Sequence, residues 1–123
     1  MEWAWMKGVK NMSRASTGET AFSARIEPHG KTVVIEASGE LDLSVADAFE
    51  DELRKALSNG TAEVVLNLGQ VTFIDSTGLR ALIRVSAETR HNGGRLSIRR
   101  ELSPPVKRLL DLTGCGDQLP FAD

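Results

Sequence analysis

The chain has 123 residues, 41% of them hydrophobic and 26% charged, with a formal net charge of −2. That length fits one domain able to bury a real core without disulfides or a structural metal. The charge balance offers nothing to nucleic acid or an anionic membrane, and no apolar run approaches the ~20 residues of a bilayer-spanning helix. Charge is unevenly placed. Glu40, Asp42, Asp47, Glu50, Asp51 and Glu52 make the middle acidic, while Arg80, Arg84, Arg90, Arg95, Arg99, Arg100, Lys107 and Arg108 make the later part basic. Solvated helix faces and a patterned protein-binding face both account for this. Cys115 is the only cysteine, so no intrachain disulfide forms and a reducing compartment fits.

Residues 1–20 are read as a flexible N-terminal extension and 21–123 as the folded domain. Trp3, Trp5, Met6 and Val9 do not make the continuous apolar core of a signal peptide, and the reading is cytoplasmic. Asn11 to Thr20 is polar and without periodicity. Met12 is an alternative start, and docking of Trp3 and Trp5 on a partner stays open.

Phe22, Ala24 and Ile26 alternate with polar residues, Pro28-His29-Gly30-Lys31 is a turn signal, and Thr32 to Ala37 is rich in β-branched residues. Together they predict a β-hairpin, after which Ser38 to Asp42 leaves the sheet. Ser44, with Asp47 three residues on, is read as the cap of a helix whose Val45, Phe49, Leu53, Ala56 and Leu57 share a face. Ser58-Asn59-Gly60 stops it. The run Val64 to Leu68 is the pattern of a strand covered on both faces. Strand, helix and strand form a crossover unit, right-handed if the strands are parallel neighbours.

A second helix is predicted from Thr77 to His91, with Leu79, Leu82, Ile83 and Ser86 on one side and Arg80, Arg84 and Glu88 on a wet side. Asn92-Gly93-Gly94 ends it. Arg95 to Arg99 reads as a strand, Ser103-Pro104-Pro105 opens a third helix closed by Thr113-Gly114, and Gln118 to Phe121 packs as an extended piece. The fold class is α/β: one small domain, a mixed sheet with helices packed on it, a hairpin followed by β-α-β-α-β-α order.

The chemistry concentrates at Phe73-Ile74-Asp75-Ser76-Thr77-Gly78-Leu79, where hydroxyls meet the mouth of a helix. A nucleophile elbow requires glycine two residues before the serine; Ile74 stands there. The two histidines, His29 in a turn and His91 at a helix end, make poor general bases for Ser76. Gly30-Lys31-Thr32 lacks the earlier glycine of a phosphate-binding loop, where Arg25 stands, and Gly114-Cys115-Gly116 lacks the third glycine of a dinucleotide site. One cysteine and two separated histidines make no metal set. No cofactor and no metal are expected, and an enzyme is not. Two compatible roles remain for Ser76: helix cap, and phosphoryl acceptor at a favourable helix N-terminus.

Four segments then stand in order: Gly39-Glu40-Leu41-Asp42, Val65-Leu66-Asn67-Leu68, Phe73 to Leu79, and Ser103-Pro104-Pro105-Val106-Lys107-Arg108-Leu109-Leu110. In these the chain resembles the STAS-domain anti-sigma factor antagonists of bacteria, over about Phe22 to Phe121. The resemblance implies a protein that binds an anti-sigma factor serine kinase and so frees a sigma factor. It implies that the kinase phosphorylates Ser76, that the modified protein lets go, and that a serine phosphatase resets the switch. It implies a partner-binding surface of Asp42, Asp75, Ser76, Thr77, Gly78, Leu79 and Arg80, with Asp75 as the acidic neighbour of the acceptor. A monomer or weak dimer is expected, with no nucleic acid and no membrane as partner. The alternative within the family is a scaffold or sensor subunit of a larger complex, stressosome-like or associated with lipid transport. Cys115, where the family often has a bulky apolar residue, and the N-terminal extension are departures. Arg80, one turn into the helix, is expected to help neutralise a phosphate at Ser76.

Overall fold

The alternation at Phe22, Ala24 and Ile26 becomes strand β2 (Phe22–His29), with all three side chains buried. The computed structural model of the chain describes residues 10–14, 22–58, 61–92 and 94–122. Gly30, at φ 66°, turns the chain into β3 (Thr32–Leu41), antiparallel to β2 with Ile26 opposite Ile35. A left-handed residue in a tight turn carries no steric cost when it is glycine. Ser38 to Leu41 do not leave the sheet as their composition suggested. They extend β3 because its last residues pair with the end of a neighbouring parallel strand.

The next elements are α1 (Leu43–Ser58), β4 (Glu63–Ile74), α2 (Ser76–Asn92) and β5 (Leu96–Ile98). β4 runs parallel to both β3 and β5, so α1 and α2 are crossover helices. Residues 59–60 and 93, in the turns expected to end these helices, lie outside the described residues. The apolar stripe Val45, Phe49, Leu53 and Ala56 of α1 is buried in one cluster with Leu79, Leu82 and Val85 of α2 and Val64, Leu66 and Leu68 of β4. Phe22 meets Phe49 edge-on, with ring centroids 5.2 Å apart. α3 (Pro104–Thr113) starts with its two prolines in the first turn and ends at Gly114, at φ 69°, whose N–H bonds to the Leu110 carbonyl. The tail then makes a short 3₁₀ turn (Cys115–Gln118) and returns along β5. Ile98 N–H donates to the Pro120 carbonyl, and Ala122 N–H to the Ile98 carbonyl. The extended piece expected near Phe121 is therefore a cover for the β5 edge.

The expected mixed sheet gains a strand, giving the order β1-β2-β3-β4-β5. β1 (Lys10–Arg14) pairs antiparallel with β2, from Lys10 opposite Ile26 to Arg14 opposite Phe22. It lies inside the stretch read as flexible, and that reading is corrected for these five residues. A ladder is made by backbone groups, so a strand without side-chain periodicity still satisfies the open N–H and C=O groups of β2. The rest of the extension, with Trp3 and Trp5, lies outside the described residues.

β4 departs from expectation in a way that shapes the site. Val64, Leu66 and Leu68 are buried while Val65 and Asn67 are half-buried, so only one face is fully covered. Register shifts follow: Glu36 and Ser38 oppose Asn67 and Gln70, and Gly39 and Glu40 oppose Val71 and Phe73. Each shift adds one residue on β4, and an added residue reverses the alternation of faces. Buried positions consequently fall at Leu68, Val71 and Ile74, and Phe73 turns outward, 46% exposed.

The two crossover helices are tied by charge as well as packing. Glu50 is buried at 3%, bonded to the Arg54 guanidinium and 3.6 Å from Arg84 Nε. Arg54 also donates from Nε and Nη2 to the two Glu88 oxygens, each at 2.8 Å. Glu88 keeps the wet position expected of it, with its side chain 42% exposed, and also ties α2 to α1. The hydrogen bond to Glu88, followed by those to Glu50, raises the Arg54 pKa against the opposing effect of burial. The same bond holds the Glu88 carboxyl below its ordinary pKa. Replacing Arg54 with Met leaves the buried Glu50 carboxylate with Arg84 alone, an expected loss of about 2 kcal/mol in urea denaturation at neutral pH. A depressed carboxyl pKa stabilises above the ordinary value of 4.5, and the gain disappears as pH falls through the folded value. Stability of the native chain should therefore decline as pH falls below the ordinary carboxyl value of 4.5, and the Arg54→Met variant should decline less over the same range. Equal slopes in the two proteins would contradict this.

Candidate functional site

β3 and β4 end side by side, with the buried residues Leu41 and Ile74 paired across the parallel ladder. Each is followed by an aspartate and then a helix: Leu41-Asp42-α1, and Ile74-Asp75-α2. Two helix N-termini therefore open at the carboxyl end of one sheet, the position where open α/β sheets place their sites. Each start has N–H donors that the helix itself cannot satisfy.

The aspartates supply the acceptors. Asp42 Oδ1 accepts from Ser44 N–H at 3.0 Å and from Ser44 Oγ at 2.7 Å, and the Asp42 carbonyl accepts from Ala46 N–H at 2.9 Å. Asp42 is thus the cap of α1, and Ser44, expected there, sits inside the first turn. Asp47 is exposed and closes no capping box. In the same way Asp75 caps α2, its Oδ1 accepting from Gly78 N–H at 2.9 Å and its carbonyl from Leu79 N–H at 3.0 Å. Ser76 is the first helical residue and not the cap. A carboxylate competes better than a hydroxyl for these donors because it is charged and meets the positive end of the helix.

Asp75 does more than cap its own helix. Its second oxygen, Oδ2, accepts from Leu43 N–H, the first residue of α1, at 3.3 Å. One carboxylate thereby fixes the start of α1 against the start of α2. Beneath it Gly78 is buried, and a Cβ there would lie 2.4 Å from the Leu41 carbonyl oxygen and 3.0 Å from Leu41 Cγ. Only glycine lets α2 approach the end of β3 this closely.

Freed of capping, the Ser76 side chain is exposed and makes no hydrogen bond among the described residues. The N–H groups of Ser76 and Thr77 face no acceptor there either. Arg80 follows at i+4 on the same helical side, exposed and outside every ion pair among the described residues. The site thus offers an open hydroxyl, two free N–H donors and a cation within a turn, an arrangement able to carry a phosphoryl group. It is not built for nucleophilic attack. His29 bonds Glu27 at 2.8 Å at the hairpin turn, the opposite end of β3, and His91 lies about 22 Å up the α2 axis at ~1.5 Å per residue.

Of the expected surface residues, Asp42, Asp75, Ser76, Thr77 and Arg80 gather at this end. Gly78 and Leu79 do not present a surface: Leu79 is 4% exposed and belongs to the core, so both support the site from below. Two neighbours were missed. Leu43, 73% exposed, and Phe73 stand out as large apolar side chains in water beside the aspartates. Leu43 was legible as an apolar residue just ahead of the α1 stripe; Phe73 depends on the β4 bulges, which leave no signature in the sequence. Among the described residues no group of His, Cys, Asp and Glu is placed to hold a metal ion, and no helix is long and apolar enough to cross a membrane.

Replacing Asp75 with Ala removes the acceptor at both helix starts, an expected loss of about 2 kcal/mol, with faster amide exchange at Leu43 as well as Gly78. Asn, which keeps one oxygen, should recover the Gly78 protection better than the Leu43 protection. Gly78→Ala should cost about 1–3 kcal/mol through the forced shift against the Leu41 carbonyl. Wild-type stability in that variant would show that α2 is free to move off the sheet.

The chain has relatives of known name and fold. Residues 24–120 match the family model described as "Mlab, STAS domain". The chain is 30% identical over 99 residues to the anti-sigma F factor antagonist of Paenibacillus polymyxa, covering 80% of this chain and 84% of that one. It is 32% identical over 89 residues to the anti-sigma-B factor antagonist of Staphylococcus epidermidis, covering 72% and 82%. An anti-sigma factor antagonist from Mycobacterium paratuberculosis superposes with a TM-score of 0.69 at 24% identity, over 86% of this chain and 89% of that one. The phosphorylated Bacillus cell fate determinant SpoIIAA superposes with a TM-score of 0.60 at 24% identity, over 81% and 91%. By the family model that matches most of its length and by these relatives, the chain belongs to the STAS-domain anti-sigma factor antagonist family.

Proposed function

We propose that this chain is an anti-sigma factor antagonist switched by phosphorylation at Ser76. In the unphosphorylated form it binds an anti-sigma factor that is also a serine kinase and displaces the sigma factor. Phosphorylation of Ser76 ends the complex, and a serine phosphatase restores it. Members of the family are regulatory binding proteins and not enzymes. The observation that carries the reading is the exposed Ser76 hydroxyl at the first position of α2, without a partner among the described residues and with capping already supplied by Asp75. A modification there removes no structural hydrogen bond. The relatives named as antagonists support it, as does SpoIIAA, which has been solved in unphosphorylated and phosphorylated forms.

The energetics fit a switch. A phosphate brings about −1.5 to −2 charges, and a charge buried at an interface without a match costs several kcal/mol. Each ~1.4 kcal/mol is tenfold in affinity, so one phosphate suffices to release a partner. On the free surface it meets the Ser76 and Thr77 N–H groups, the α2 dipole and Arg80, which keep it compatible with the fold. Asp42, Asp75 and Thr77 complete the contact surface in this reading, and the cytoplasm is its place of action. A second reading, a subunit of a larger STAS assembly, draws on the description of the matched family model. Elution as a monomer or dimer favours the switch; elution within a large complex favours the subunit.

The purified chain should be mixed with ATP and, one at a time, the anti-sigma serine kinases encoded in its source genome. One kinase should bind it and add a single phosphoryl group mapping to Ser76. Ser76→Ala should bind and stay bound in the presence of ATP, while Ser76→Asp should bind at least tenfold more weakly. An Asp variant as tight as wild type would contradict release by charge.

A further inference from the structure

Three large hydrophobic side chains are exposed among the described residues: Leu43, Phe73 and Leu112. Isolated apolar residues at the surface are ordinary, but two of these three, Phe73 and Leu112, line one groove. It is an open cavity of about 460 Å³ between the end of β4 and α3, walled by Phe73, Pro104, Pro105, Leu109 and Leu112, with Arg108 on its rim. Helix α3 has two apolar sides. Val106 and Leu110 face the core, while Pro105, Leu109 and Leu112, at i, i+4 and i+7, make a second stripe outside it. Within that stripe Leu109 is half-buried against the core and Leu112 is left 77% exposed, while Phe73 reaches the groove because the β4 bulges turn it outward.

The groove is continuous with the switch. Its floor includes Ile74, and Ser76 follows after Asp75. Arg108 is exposed and in no ion pair among the described residues. An occupant that matches this chemistry presents an apolar side chain with a carboxylate beside it. We infer that the groove is a second docking contact for the anti-sigma kinase, taking an apolar side chain flanked by an acid, with Arg108 meeting the acid. This rests on the proposed function and adds a division of labour to it. The groove supplies affinity, while Ser76 supplies the control. Most of the wall is provided by α3, whose N-terminal prolines fix where the stripe points without spending backbone N–H donors.

The test uses the full chain and the purified kinases of the same panel. Leu112→Ala, at a site 77% exposed, leaves the core untouched, and Arg108→Glu reverses the rim charge. Each should weaken binding of the kinase about tenfold, and should raise the KM for phosphorylation of Ser76 without changing kcat. Arg108→Glu should also reduce the loss of affinity that added salt causes in the wild type. Phe73→Ala should behave like Leu112→Ala, with its far-ultraviolet spectrum as the control for folding. If Ser76→Asp weakens binding while Leu112→Ala and Arg108→Glu bind as wild type, the groove is not a contact and the switch stands alone. If the substitutions alter self-association of the chain in sedimentation and leave kinase binding unchanged, the occupant is a second copy and the inference is overturned. If no kinase of the panel binds the wild type, the proposed function itself fails and takes the groove with it.

Discussion

One carboxylate holds together the end of this molecule where its function is placed. Asp75 accepts the Gly78 N–H with one oxygen and the Leu43 N–H with the other. The two crossover helices, which otherwise meet through their apolar stripes and the Arg54 ion cluster, are thereby registered at their first turns. Because α1 and α2 start from adjacent parallel strands, fixing both starts also fixes the ends of β3 and β4. Gly78 makes this possible by letting α2 settle against the Leu41 carbonyl. The result is a rigid floor under an exposed hydroxyl.

That division is what the proposed switch at Ser76 draws on. A serine that caps a helix spends its oxygen on the backbone, and modification would cost the helix its cap. Here the acid immediately before it takes that duty, and among the described residues the Ser76 hydroxyl has nothing to hold. In the proposed switch, a charge added to it changes what a partner meets and leaves the packing beneath intact. Control by surface charge on a fixed scaffold requires less free energy than control by refolding, since none of the buried apolar contacts is exchanged.

Much of this was legible in the sequence. The 3.6-residue periodicity of α1 and α2, the strand alternation at Phe22 to Ile26 and the glycine after Thr113 reflect local rules that each segment obeys by itself. The stretch Asp75-Ser76-Thr77-Gly78 marked a helix start for the same reason. What was hidden depends on pairing between distant segments. β1 exists because β2 offers an open ladder, and its own residues carry no pattern. The extension of β3 to Leu41 depends on β4, and the outward turn of Phe73 depends on register shifts against β3. Capping was misassigned twice, to Ser44 and Ser76, since a hydroxyl and a carboxylate stand within two residues of each other at both helix starts. Charge decides which becomes the cap, together with where the strand ends, and the second is a tertiary fact.

In the proposed switch, phosphorylation at Ser76 alters the surface and leaves the fold alone. Amide hydrogen exchange of the phosphorylated and unmodified chains, compared residue by residue, tests it most directly. The account predicts unchanged protection at Leu43, Gly78 and the buried stripes of α1 and α2, with differences confined to the first turn around Ser76 and to Arg80. Loss of protection at Leu43 and along α1 in the phosphoprotein would show that the added charge breaks the Asp75 bridge. The switch would then work by loosening the helix pair, contrary to what is claimed.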